Sequence, residues 1–127
     1  YLFSNTIAPS IVGASLGVLE ILEKDNSHLE KLKENTRYFR EKISNFGFDI
    51  KPGSHPIVPV MLYDDHLAQD MSSELLKLGI YVIGFFFPVV PKGQARIRVQ
   101  ISAAHSIEDI DKSLSAFLKV GKKLKVI

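Results

Sequence analysis

The sequence has no cysteine, which removes disulfides, cysteine nucleophiles and thiolate metal sites and leaves the redox compartment open. It has no apolar run long enough to span a bilayer, so no membrane partner is expected. No signal peptide is visible. The chain opens at Tyr1 without a methionine, which reads as a fragment or processed piece whose missing start would have held any targeting sequence. A strong charge bias is also lacking: a net charge of +2 is too small to argue for nucleic acid. None of the histidines (His28, His55, His66, His105) has another at metal-ligand spacing, so no metal site is expected. The glycines of GFFFPVVPKG do not fit a Walker or dinucleotide loop. No internal repeat and no low-complexity linker break the chain.

What remains is an ordinary globular composition, 46% hydrophobic and 24% charged over 127 residues, which suits one modest core. A helix is expected from Pro9 to about Lys24, with Gly13, Ala14, Ser15 and Gly17 small enough for close packing. Asp25 and Asn26 break it. Ser27 with Glu30 reads as a capping box for a second helix whose buried stripe is Leu29, Leu32, Thr36, Phe39, Ile43 and Phe46, ended by Gly47. Pro56 to Leu62 reads as a strand that Pro59 places at an edge or bulge. Asp64 or Asp65, a solvated cap and not a catalytic carboxylate pair, opens a helix from about His66 to Leu78, stopped by Gly79. Ile80 to Phe85 reads as a second strand and the Arg96/Arg98 segment as a third. Ser106 with Asp109 caps a last helix with the stripe Ile107, Ile110, Leu114, Phe117, Gly121 and Leu124. Lys119, Lys122, Lys123 and Lys125 fall in its last turn and complement the helix dipole. A short loop between the last two strands favours antiparallel pairing. The fold class is α+β: a small, mainly antiparallel three-stranded sheet covered by helices and preceded by two helices. Residues 1–24 are expected to form an interface segment and first helix, and residues 25–127 a small domain.

The chain is organised around Gly84–His105. Ala95, Ile97, Val99 and Ile101 alternate with Arg96, Arg98, Gln100 and Ser102, so one strand face is apolar and the other carries two guanidiniums. Pro88, Pro91 and Gly93 shape a stiff loop before it. Paired forks on a stiff support suit a carboxylate or phosphate. Equally, charge protects a sheet edge. Spacing does not separate these readings, nor does it separate Arg96 from Arg98. Phe85, Phe86 and Phe87 either cover a substrate or fill the core.

PVVPKGQARIRVQISAAH, together with YLFSN at the start, resembles the α-oxoamine synthases, pyridoxal-phosphate (PLP) enzymes of fold type I. FFFPVVPKG resembles their glycine C-acetyltransferase branch, and the likeness runs from Tyr1 to Ile127. It implies that this is the C-terminal part of a longer chain. It also implies a homodimer that condenses glycine with acetyl-CoA, with PLP as cofactor. By the same resemblance Arg98 binds the substrate α-carboxylate, Arg96 is structural, and Ser4 and Asn5 reach the cofactor phosphate of the partner subunit. His105 is expected to bond locally at the corner after the strand and not to act as a base. No lysine stands in the family's cofactor-lysine context, so this piece alone is expected to be inactive. The compartment would be the cytoplasm in a bacterium or the mitochondrial matrix in a eukaryote. The alternatives are a non-catalytic interaction module and a sister synthase using another amino acid or acyl-CoA.

Overall fold

A computed structural model describes residues 6–127. Ser4 and Asn5 lie outside the described residues. The elements run α1 (Pro9–Lys24), α2 (Ser27–Asn45), β1 (Ile57–Met61), α3 (Asp65–Lys77), β2 (Ile83–Phe85), β3 (Arg96–Gln100) and α4 (Ile107–Lys123). The α+β class and the antiparallel three-stranded sheet are as expected, and the strand order is β1-β3-β2.

The central strand is therefore the last in sequence. Arg98 stands opposite Pro59 of β1 and opposite Ile83 of β2. β1 is an outer strand, as Pro59 implied. The Pro59 carbonyl accepts the Lys51 N–H at 3.2 Å on the side away from β3, so the missing proline N–H removes no bond of the β1–β3 ladder. One sheet face is buried by Val58, Val60, Ile97 and Val99, which meet Phe39 and Ile43 of α2, Met71 and Leu75 of α3, and Ile110, Leu114 and Phe117 of α4. Phe117 sits between Phe39 and Phe48, both edge-on at 6.2 and 6.0 Å between ring centroids.

The helix ends show how local chemistry sets the boundaries. Asp64 caps α3 by accepting the Leu67 N–H, and the Ser106/Asp109 capping box of α4 is complete. After α2, Gly47 N–H donates to Ser44 and Phe48 N–H to Ile43; after α3, Gly79 and Ile80 repeat the pattern onto Leu76 and Leu75. Both are Schellman ends with glycine at positive φ. α4 ends the same way with Lys125, at φ 56°, in the glycine's place.

Four expectations need correction. The Ser27/Glu30 box does not form; the Asp25 carboxylate, two residues back, takes both the Ser27 N–H and its hydroxyl at 2.8 Å. β2 starts at Ile83, because the chain leaving the Schellman turn at Ile80 diverges from β3 for three residues. Leu29 and Ile107 are exposed, since the first turns of α2 and α4 overhang the core. Of the four lysines, only Lys122 and Lys123 lie in the last turn of α4. The small residues of α1 meet no packed element among the described residues, and α1 buries none of its side chains.

Candidate carboxylate site

β3 carries its polar face into solvent at one point. Ile97 and Val99 are buried while Arg98 and Gln100 are exposed, the alternation that the sequence pattern demanded. The two arginines of that face part company. Arg96 turns back onto its own loop, its Nε donating to the Gln94 carbonyl at 3.0 Å and an Nη to Gln94 Oε1 at 3.4 Å. Arg98 lays its guanidinium over the Phe85 ring, 4.1 Å from the centroid. No carboxylate among the described residues pairs with Arg98. The only ion pairs described join Glu74 to Lys77 and Lys123, on the helical side of the domain.

The divergence of Ile80–Val82 from β3 leaves a cavity of about 690 Å³ between that segment, the end of β3 and α4. Arg98, Gln100, His105 and Lys112 give it polar groups, and Ile80, Ile110 and Phe117 an apolar floor. A concave apolar site with a few convergent polar groups is the usual form of a small-molecule site.

The corner at the far end of β3 is tied down. Asn35, buried on α2, donates from Nδ2 to the carbonyls of Ser102 at 3.1 Å and His105 at 3.0 Å. His105 Nδ1 accepts the Ser102 N–H at 3.2 Å, the local bonding expected of it. Ser106 N–H and hydroxyl, bonded to Asp109, hold that carboxyl below its usual range. On the opposite side, the Arg40 fork donates to the carbonyls of Lys51, His55 and Ile57, closing the loop into β1; burial lowers its pKa. The aromatic triplet divides its work. Phe86 packs against the core, Phe87 is half exposed with Lys92 5.1 Å from its ring, and Phe85 supports Arg98.

Sequence reasoning missed Asn35, Arg40 and the separate part of Phe85. Asn35 had a signal: it precedes Phe39 and Ile43 at four-residue steps, so it stands on the buried face, where a polar group needs partners. The carbonyls that Arg40 reaches are set by loop geometry, which left no mark in the spacing.

Residues 1–117 match the family described as aminotransferase class I and II. The chain belongs to that family. It is 54% identical over all its 127 residues to the 2-amino-3-ketobutyrate coenzyme A ligase of Escherichia coli K12, covering 32% of that protein. It is 52% identical over 122 residues, 96% of this chain, to the human mitochondrial protein of the same name, covering 29% of it. A Thermus thermophilus relative, 45% identical over the whole chain and covered to 32%, carries the double name 8-amino-7-oxononanoate synthase/2-amino-3-ketobutyrate coenzyme A ligase. The chain thus spans about a third of the length of the curated relatives it matches. Among solved structures, a serine palmitoyltransferase of Sphingomonas wittichii superposes with a TM-score of 0.90 at 25% identity, over 98% of this chain and 32% of its own. A high-resolution structure of SPT with PLP gives 0.92 at 29% identity over the same shares. Among the described residues no helix is long and apolar enough to cross a membrane, and no group of three metal-ligating side chains occurs.

Proposed function

We propose that this chain is the amino-acid-binding part of a PLP-dependent acyltransferase. The reaction joins glycine and acetyl-CoA to give 2-amino-3-ketobutyrate and coenzyme A, and runs in reverse during threonine breakdown. The observation that carries this reading is Arg98: an exposed guanidinium on the central strand, held on a ring and matched to no anion among the described residues. A bidentate pair with the α-carboxylate would fix glycine in one orientation, which contributes through positioning. The names of the relatives point the same way. PLP, when bound, supplies an electron sink for carbanion chemistry at the glycine Cα. The family resemblance puts the cofactor lysine and the residues that hold the ring upstream of this chain. Those contacts are assigned to the two-thirds of the relatives' length that this chain does not span, and Ser4 and Asn5 to the cofactor phosphate of the partner subunit in a homodimer.

The test is glycine kinetics of the complete protein. A hydrogen bond to a charged group contributes roughly 1.5–3 kcal/mol, so Arg98→Ala should lower kcat/KM for glycine about ten- to a hundredfold or more. Arg98→Lys should recover little, because a point charge lacks the fork. Arg96→Ala should leave glycine dependence close to normal, since that side chain is engaged with Gln94. Near-normal glycine affinity in Arg98→Ala would move the carboxylate site elsewhere. A second reading, a sister synthase taking a longer acyl-CoA, is favoured by the double name of the Thermus relative. Rates with acyl-CoA esters of increasing length separate the two.

A further inference from the structure

We propose that Phe85 is a positioning residue of this site, a platform that holds the Arg98 fork in the orientation a substrate carboxylate requires; this rests on the carboxylate-binding role proposed for Arg98. In the β2–β3 register Phe85 lies opposite Arg96 and Ile83 opposite Arg98, so all four side chains leave the same face of the sheet. Arg98 passes the residue directly across from it and reaches the diagonal neighbour, a distance that suits a long side chain and an aromatic ring. A guanidinium lying on a ring keeps its in-plane N–H groups free for a planar partner.

The platform is itself fixed. Phe86, next in sequence, packs against the core, and the backbone of β2 is pressed onto α3. A Cβ built on Gly84 would lie 2.8 Å from the Ala68 carbonyl oxygen, so only glycine allows that approach. Without the ring, an exposed arginine samples many rotamers, and each binding event must order it again. Phe85 therefore acts on affinity for the carboxylate and not on the chemical step. Arg96, which has Gln94 to hold it, gains nothing from the ring.

The complete PLP-loaded protein supplies the test. KM and kcat for glycine are measured for Phe85→Leu, Phe85→Tyr, Arg98→Ala and the double variant Phe85→Leu/Arg98→Ala, with glycine binding also followed through the cofactor absorbance. Phe85→Leu should raise the glycine KM about two- to fivefold, the range of an exposed cation–π contact, with kcat and the acetyl-CoA KM little changed. Phe85→Tyr should restore the normal value. In the Arg98→Ala background, Phe85→Leu should add nothing. An unchanged KM in Phe85→Leu overturns the proposal, and so does an equal rise with Arg98 present or absent, because both deny coupling through the guanidinium. If Phe85→Leu lowers the melting temperature enough to disturb the assay, Phe85→Met takes its place in the same cycle with the same criteria. Normal glycine binding in Arg98→Ala is a different outcome: it removes the carboxylate reading, and this inference with it.

Discussion

α1 and α4 are nearly equal in length and both rich in apolar residues, yet α4 buries six positions and α1 none. The difference lies in how the apolar residues are arranged. In α4, Ile110, Leu114, Phe117 and Gly121 recur at three- and four-residue steps and make one stripe against the core. In α1, Ile11, Val12, Leu16, Val18, Leu19, Ile21 and Leu22 spread over more than half of the helix surface, and each is exposed. So broad an apolar face marks a helix built to be covered, and among the described residues it buries no side chain.

The contrast is easiest to break at the core. Phe117→Ala removes the ring that both Phe39 and Phe48 meet, and should cost about 3–5 kcal/mol in denaturant unfolding of the 127-residue chain. Leu16→Ala in α1 should stay within about 0.5 kcal/mol in the same measurement. A large loss from Leu16→Ala would mean that α1 has a partner within this chain.

The glycines offer a sharper version. A Cβ on Gly121 would come 2.5 Å from Phe48 Cζ, inside a packed cluster, so Gly121→Ala should destabilise by about 1–3 kcal/mol. A Cβ on Gly17 would meet nothing within 4 Å. Gly17→Ala should therefore stabilise this chain by up to about 1 kcal/mol through helix propensity. A change of sign in the complete protein would reveal a backbone packed against α1 there.

The smallest effect is electrostatic. Glu74 of α3 binds Lys123 of α4 and Lys77 of its own helix, and these bonds pull its pKa down to about 2 from 4.5. A depressed carboxylate pKa adds stability that is present above 4.5 and lost as pH falls toward 2. Acid titration of unfolding should show a shallow loss across that window, and Glu74→Gln should flatten it.

Much of this molecule was legible in the sequence because local chemistry fixed it. Asp64, Ser106 and the glycines at positions 47 and 79 end or begin helices by bonds that reach only a few residues. Alternation in β3 gave its buried and exposed faces without any knowledge of its neighbours. The misses came where two acceptors competed for one donor, as Asp25 and Glu30 did at Ser27, or where long-range geometry decided. The unlike settings of Arg96 and Arg98 depend on Gln94 and Phe85, and the cavity depends on where Ile80–Val82 leaves the sheet. No periodicity encodes either. The family pattern had singled out Arg98 where spacing could not. The structure adds the neighbours each arginine has, and kinetics will decide the role.

The strand order has a consequence in time. β1 and β2 do not pair with each other; each pairs as a strand with β3, which is made last, and β1 has besides it only the short bridge to residues 49–51. During synthesis Val58 must wait, and Val60 has only its bridge to Ile50, while α3, β2 and the proline loop emerge. Bringing β1 and β3 together closes a long loop, an entropic cost that slows formation of such sheets relative to local helices. Arg98 therefore reaches its place in the same event that assembles the sheet, and a chain stopped before Arg96 would have β1 and β2 without the strand that joins them.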